Sequence, residues 1–248
     1  GVFEIGMDKK GEIHNLSRLV KPLVGIITNI SHAHIKNFKN LKEIAHAKSE
    51  IIDNIIEDGT MILNKDDKFF NFFKIKSLNR GLKIISISKK KKADIRLIKI
   101  RKSGKKYKVL VNILGNNISF LINETLIDFL DNLLFCIGAL SIYYEMSNLK
   151  KNLFDDFKPL EGRGNTLKLR INSKTIYLID ESYNSNPLSL NFSLKKFNRL
   201  KLNKVKKHLL LGDMLELGKF SKHLHTKAAS NINKINVNKV NVYGKYIK

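Results

Sequence analysis

Residues 23–56, LVGIITNISHAHIKNFKNLKEIAHAKSEIIDNII, constrain the fold more than any other stretch. They open with a short β-branched apolar run, 23–30, of the kind that is buried as a parallel strand. The run gives way to Ser31, His32 and His34. Ligands of open α/β sheets bind just beyond the carboxyl ends of strands, so this polar loop is a candidate site. A helix is predicted next over 41–56, with Leu41, Ile44, Ile51, Ile52 and Ile55 on one face. Lys48 falls on that same face, whereas Glu43, His46, Glu50 and Asp53 lie toward the others.

A lysine inside an apolar stripe must snorkel, find a counter-ion or change its charge. In the first case Lys48 is an ordinary edge residue. In the last, a desolvated amine has a lowered pKa and is a nucleophile, able to take up carbon dioxide as a carbamate. That product resembles a long carboxylate. Beside the neutral imidazole of His34 it could hold a divalent ion at a phosphate-transfer site.

Upstream, residues 2–5 read as a short strand whose Glu4, just before Gly6, would stand at its carboxyl end. Pro22 breaks the chain before the 23–30 strand. Gly59 is placed as a helix-terminating glycine, and strands follow at 60–64 and 83–88. Strand and helix alternate to this point, which implies a parallel sheet with helices packed on it. From Ala93 the pattern changes to alternating ADIRLIKI and KYKVLVNI around Ser103-Gly104-Lys105, then ISFLI after Gly115-Asn116-Asn117, a small antiparallel meander. A long, mostly buried helix is expected over 126–146 and contains Asn132 and Cys136, the latter as a small buried hydrophobe.

PLEGRGN, 159–165, reads as a boundary. Its Arg163 is either a solvated loop residue or a planar phosphate clamp. A hairpin around Asn172-Ser173-Lys174 leads to Asp180 at a strand end, and Asn186-Pro187 opens a helix as cap and first-turn proline. A buried strand at 207–212, a helix at 221–235 and a strand at 239–243 continue a Rossmann-like pattern. Gly212 and Gly218 are one residue too far apart for a P-loop, and Phe220 stands where the magnesium-binding hydroxyl belongs. The architecture expected is α/β: a mostly parallel central sheet flanked by helices with a small antiparallel appendage, followed by a partial Rossmann-like domain.

The balance of 46 Lys and Arg against 22 Asp and Glu, a net charge of +24, raises the question of nucleic acid. The basic residues are mostly dispersed among Asn and Ile, with 89–92 the densest run, so a solvated surface is expected instead. The single cysteine excludes an intrachain disulfide. No apolar run is long enough for a membrane span and no signal-peptide pattern occurs, so no membrane insertion and a cytoplasmic setting are expected. Because the sequence opens at Gly1 within a strand pattern, it reads as a fragment.

FEIGMDKKGEIHNLSRLVKP, TNISHAHIKNF, AHAKSEI, ILNKDD, LEGRGN, DESYNSNP and LLLGDMLELG occur in the order seen in the Mur ligase family of peptidoglycan synthesis. Together they most resemble its MurF type, which adds D-alanyl-D-alanine to UDP-N-acetylmuramoyl-tripeptide. The resemblance runs over almost the whole chain. It implies a central ATP-binding domain over 1–164 and a Rossmann-like C-terminal domain over 165–248, each truncated, with the P-loop upstream. It also implies ATP and Mg2+ as cofactors and a monomer. Glu4, His34 and carbamylated Lys48 would hold magnesium as the catalytic centre. Asn132 would contact adenine, Arg163 the γ-phosphate and Asp180 the ribose hydroxyls. Where the family pattern has a histidine four residues before the asparagine, this chain has Asp128. Other superfamily ligases, which add the third stem residue or glutamate to folate, and a basic nucleic-acid-binding protein are the alternative readings.

Overall fold

The structure, a computed structural model, describes residues 1–200 and 205–248. The chain forms two compact units: Gly1–Ile30 with Lys42–Lys158, and Ser31–Leu41 with Pro159–Lys248.

In the first unit α1 (Glu12–Val20) precedes strand β1 (Val24–Ile27), and α2 (Leu41–Lys48) runs on as a tighter 3-10 helix to Asn54. Strands β2 (Thr60–Asn64) and β3 (Lys83–Ser88) follow, with α3 (Phe70–Asn79) between them. β1, β2 and β3 are parallel, as the alternation of strand and helix predicts. β4 (Ile95–Ser103) joins β3 in parallel only at Ile87↔Ile95 and Ser88↔Arg96, then pairs antiparallel with β5 (Lys106–Ile113), which pairs with β6 (Asn116–Ile122). The predicted meander is therefore the continuation of a single six-stranded sheet, in the order β1 to β6.

Strand position explains where the burial expectation succeeds and fails. β2 lies inside the sheet, and its Met61, Ile62 and Leu63 are wholly buried. β1 is an edge strand of this sheet and alternates instead, leaving Ile26 39% exposed. The strand expected at 2–5 is not formed: the segment has no ladder partner among the described residues, and Val2 and Phe3 face solvent.

Gly59 has a different physical role from the one its position suggests. The left-handed residue after the 3-10 helix is Asp58, at φ 58°. A Cβ on Gly59 would lie 2.8 Å from the Ile56 carbonyl oxygen and 2.9 Å from that of Leu23, besides striking the Ile55 side chain. Close backbone approach, not a left-handed turn, requires glycine there.

α1 has no counterpart in the sequence expectation because its cap comes from far along the chain. Gly11, at its N-terminus, offers no side chain, and Glu50 supplies the acceptor: Gly11 N–H donates to its two carboxylate oxygens at 2.9 and 3.1 Å, and His14 N–H at 3.1 Å. Asn54 Nδ2 adds bonds to the His14 carbonyl and Ser17 Oγ at 3.0 and 2.9 Å. A carboxylate at a helix N-terminus both satisfies open N–H groups and opposes the helix dipole. Glu50→Ala is expected to lower stability by about 1–2 kcal/mol, read as a shift in urea midpoint at unchanged slope.

The long helix expected over 126–146 is two: α4 (Glu124–Ile127), capped by Asn123, and α5 (Leu130–Tyr143). Phe129 takes a non-helical conformation between them and packs near Phe157, ring centroids 5.3 Å apart. Leu133, Leu134 and Ile137 of α5 enter a core with Ile62, Ile87, Val109, Val111 and Phe120 of the sheet. Cys136 lies on the opposite, exposed face, which corrects its assignment as a buried hydrophobe; partial desolvation still pushes its thiol up. No helix among the described residues is long and apolar enough to cross a membrane.

The second unit contains the hairpin β7 (Asn165–Ile171) and β8 (Lys174–Asp180), turned by Asn172 and Ser173 at φ 47° and 62°. Two successive left-handed residues match the twist of a two-residue hairpin. α6 (Pro187–Arg199) begins as predicted, with a reciprocal capping box between Asn186 and Ser189. β9 (His208–Gly212), α7 (Ser221–Ile232) and β10 (Lys239–Tyr243) form a right-ordered βαβ run, β9 and β10 pairing in parallel from Lys239↔His208. β9 is not the buried strand expected: among the described residues only β10 lies beside it, and Leu210 is 81% exposed.

Asp213, at the carboxyl end of β9, ties this unit together. Lys245 N–H donates to Oδ2 at 2.7 Å, and Tyr246 and Ile247 N–H to Oδ1 at 3.0 and 2.8 Å. Desolvation pushes its carboxyl up, but these N–H groups and His225 outweigh that and hold it below the usual range. The folded state therefore binds this proton less readily than the unfolded chain, and the stability it contributes is present above the ordinary carboxylate pKa and lost as pH falls through the lowered value. Asp213→Asn is expected to flatten the acid limb of the unit's thermal stability profile, measured by circular dichroism.

Candidate functional site

In the first unit the site grows from the carboxyl ends of β1 and β2. Asn64 closes β2 and donates from Nδ2 to the Thr28 carbonyl at 3.0 Å, drawing the end of the first strand toward the second. Asp67, three residues on, accepts Ile30 N–H on Oδ2 at 3.0 Å and Phe69 N–H on Oδ1 at 2.8 Å. These bonds hold 28–30 in place beyond the strand. Lys48, on the last turn of α2, points its amine there: Nζ donates to the Asn29 carbonyl at 3.3 Å.

The Lys48 amine is thus turned to a backbone carbonyl rather than out to solvent, and among the described residues no carboxylate lies within salt-bridge distance of it. Burial lowers its pKa, and the negative charge of Asp67 only partly offsets this. A larger share of the amine is then neutral at a given pH, which is the form that adds carbon dioxide or attacks an electrophile. The neighbouring groups offer oxygen lone pairs, from the Asn29 carbonyl and the Asp67 carboxylate. A carbamate would extend that oxygen set, and hard divalent cations take oxygen ligands. Glu4, in the same unit, is exposed on the segment before α1, and Asn132 is exposed in the first turn of α5.

In the second unit, the loop Ser31–Leu41 carries His34 at φ 57°, a left-handed position uncommon for a side-chain-bearing residue. Its Nδ1 lies against Oε2 of Glu216 in an ion-pair contact. Glu216 is itself left-handed, at φ 61°, and its other oxygen is 3.7 Å from Lys36 Nζ. Lys36 N–H donates to the Glu216 carbonyl at 2.9 Å. Gly218 allows this approach, since a Cβ there would lie 2.9 Å from Lys36 Cα. Sequence reasoning singled out GDMLELG as a motif but gave Glu216 no role; its partner His34 is far away in sequence.

Arg163 and Asp180 meet at one end of the β7–β8 hairpin, because the ladder registers Asn165 with Asp180. Gly164 N–H donates to the Asp180 carbonyl at 2.7 Å, and Tyr183 N–H to that of Gly162 at 3.1 Å. The Arg163 guanidinium stacks 4.4 Å from the Tyr183 ring centre, presenting a planar cation on an exposed loop. Ser182, first through its hydroxyl and then through its backbone N–H at 3.0 Å, holds the Asp180 carboxyl below the usual range. An ionised acceptor and a planar cation on one loop cluster can hold hydroxyl and phosphate groups respectively. The structure therefore places Glu4, Lys48 and Asn132 in the first unit, and His34, Arg163 and Asp180 in the second.

A family model described as the Mur ligase middle domain matches residues 1–140. The UDP-N-acetylmuramoyl-tripeptide–D-alanyl-D-alanine ligase of Rickettsia prowazekii (strain Madrid E) is 30% identical, aligned over 100% of this chain and 54% of its own length. The enzyme of the same name from Buchnera aphidicola subsp. Acyrthosiphon pisum (strain APS) is 31% identical over 97% of this chain and 51% of its own. Among solved structures, a MurF from Acinetobacter baumannii superposes with a TM-score of 0.83 at 22% identity, covering 99% of this chain and 52% of that one. A MurF ligase from Thermotoga maritima in complex with ADP does so with a TM-score of 0.71 at 18% identity, covering 98% and 57%. These structures share the fold, and the chain spans about half the length of the curated relatives it matches. With the family model covering more than half of its residues, the chain belongs to the Mur ligase family.

Proposed function

We propose that the complete polypeptide to which these residues belong is an ATP-dependent ligase that adds D-alanyl-D-alanine to UDP-N-acetylmuramoyl-tripeptide. The relatives that match nearly all of this chain bear that ligase name. The observation that carries the chemistry is the desolvated Lys48 amine at the carboxyl end of the first strand. Residues 1–164 are read as the ATP-binding middle part and 165–248 as the Rossmann-like C-terminal part.

In this reading a carboxylate oxygen of the tripeptide attacks the γ-phosphorus of ATP and ADP departs, leaving an acyl phosphate. The amine of D-alanyl-D-alanine then attacks the acyl carbon, phosphate leaves, and the nitrogen loses a proton to give the amide. Positioning and neutralisation of charge dominate such chemistry. Glu4, His34 and carbamylated Lys48 would hold Mg2+, which when bound supplies positive charge against the phosphate oxygens. Arg163 would clamp the γ-phosphate, Asp180 would accept from the ribose hydroxyls and Asn132 would meet the adenine. A monomer working in the cytoplasm, where nucleotide-linked substrates are made, completes the proposal.

The test is phosphate release by the complete ligase with ATP, the UDP-linked tripeptide and a choice of acceptors. D-alanyl-D-alanine should be the acceptor used. Preference for a single amino acid or glutamate would assign another superfamily activity. Turnover in neither case, with salt-sensitive nucleic-acid binding that survives Lys48→Ala, would overturn the ligase reading.

A further inference from the structure

We propose that Tyr183 is a positioning residue for Arg163, its ring holding the guanidinium in place while leaving the N–H groups open to the terminal phosphate of ATP. The inference rests on the reading above that Arg163 clamps the γ-phosphate, and it adds what aims the clamp.

Arg163 lies between two buried glycines and is itself exposed. Gly162 and Gly164 take φ of 71° and 87°, a left-handed conformation that residues with a side chain rarely adopt. Each is tied to a different part of the hairpin's end. Gly164 N–H donates to the Asp180 carbonyl at 2.7 Å, and Gly162 N–H to Asn165 Oδ1 at 2.8 Å. Tyr183 N–H returns to the Gly162 carbonyl at 3.1 Å. A Cβ on Gly162 would stand 2.8 Å from both the backbone nitrogen and the Cβ of Tyr183, so the tyrosine is seated directly against this turn. The backbone of 162–164 is thereby set, and only the long side chain of Arg163 is left to be aimed.

The Tyr183 ring does that. Arg163 Cζ lies 4.4 Å from its centre, inside the range in which the negative face of an aromatic ring attracts a cation. An aromatic partner differs from an acidic one in a way that matters here. A carboxylate would bind the guanidinium through its paired N–H groups, the same groups that recognise a phosphate, and would have to be displaced. A ring face takes the charge without forming such a fork. Among the described residues no carboxylate makes an ion pair with Arg163. An exposed arginine also loses rotamer freedom when it clamps a ligand, and holding it beforehand lowers that cost. The Tyr183 ring is 66% exposed, so core packing does not explain its presence.

The first measurement needs no nucleotide. Proton NMR of this chain reads the Arg163 Nε–H and Cδ–H signals, assigned through Arg163→Gln. Protons above a ring face move upfield, and that shift is expected in the parent chain and in Tyr183→Phe, which keeps the ring. It should vanish in Tyr183→Leu, which keeps the Cβ contact with Gly162 but has no aromatic face. Unshifted signals in the parent chain, or an upfield shift that survives in Tyr183→Leu, would overturn the proposal.

In the complete ligase with Mg2+, the readout is the preference for a non-hydrolysable ATP analogue over ADP, since only the analogue carries the phosphate that Arg163 would hold. Tyr183→Leu is expected to cut that preference about 3–30-fold, with Tyr183→Phe close to the parent enzyme. ADP binding should not change, because Asp180 would hold the ribose of either nucleotide. Equal weakening of both nucleotides in Tyr183→Leu would mean a merely structural role, and an equal loss in Tyr183→Phe would put the effect on the hydroxyl; either result overturns the proposal. If Arg163→Ala leaves the preference unchanged, the γ-phosphate reading of Arg163 fails, and this inference with it. If Arg163→Ala loses the preference and Tyr183→Leu keeps it, the inference alone fails.

Discussion

Lys48→Ala in the complete ligase is expected to reduce kcat by about 10²–10³-fold, with an unchanged far-ultraviolet circular dichroism spectrum. The size follows from losing a group that would hold charge against the phosphate oxygens in the transition state. Lys48→Arg is expected to be as impaired as the alanine variant. Arginine keeps a positive charge but cannot be deprotonated, so it can neither become a carbamate nor act as a neutral amine. The comparison separates two roles that look alike in a static picture. Were Lys48 a simple counter-charge to Asp67, arginine would restore most of the turnover and the carbamate reading would fail. Isotopically labelled bicarbonate gives an independent readout: a carbamate carbonyl signal in the parent protein that disappears in Lys48→Ala. The pH dependence has a definite sign. Burial lowers the Lys48 pKa, so the neutral amine that takes up carbon dioxide persists to lower pH than for a solvated lysine, and the carbamate signal should decline as acid protonates it.

Phe120→Ala should have the largest effect on stability, about 3–5 kcal/mol. Phe120 is 0% exposed on β6, and its ring meets that of Phe154 edge-on, with centroids 5.4 Å apart and planes at 70°. It packs in the cluster that joins the sheet to α5. Truncation removes the apolar contact and leaves a cavity that surrounding strands cannot close without breaking their ladder. Amide hydrogen exchange should show the loss in residues of β5 and β6, which pair through Val109↔Phe120. Leu210→Ala, at an exposed site on β9, serves as the contrast and should stay within about 0.5 kcal/mol. A comparable loss at both sites would show that Phe120 does not anchor the core of its unit.

The contrast between local and distant causes also explains how far the sequence could be read. Both hairpins in the first sheet and the one at Asn172-Ser173 were legible because turn geometry is written in adjacent residues, with Gly104, Gly115 or Asn172 at a left-handed position of each turn. The start of α6 was legible for the same reason, with Asn186, Pro187 and Ser189 within four positions of one another. α1 was not, because the acceptor for its first N–H groups is Glu50. The break at Phe129 was hidden within a run of apolar residues that reads as helix throughout. Gly59 was recognised as special for the wrong reason: its constraint is close packing against Ile55, the Ile56 carbonyl and the carbonyl of Leu23, the last of which only the folded chain brings near.

The candidate site divides along the same line. Local sequence was enough to put Lys48 on the buried face of a helix and the His34 loop beyond a strand, since helical and strand periodicities are short-range properties. Motif order was enough to indicate the family. What surrounds each group was decided by tertiary structure alone. The Asn29 carbonyl and Asp67 reach the Lys48 amine through strand pairing and a turn after β2. Glu216 reaches His34 through a loop contact between residues far apart in the chain. A pKa or a tautomer depends on desolvation and on charges a few ångströms away, and those neighbours come from segments whose separation in sequence carries no record of their distance in space. The kinds of reactive group were therefore set by the sequence, while their ionisation and orientation were set by the fold.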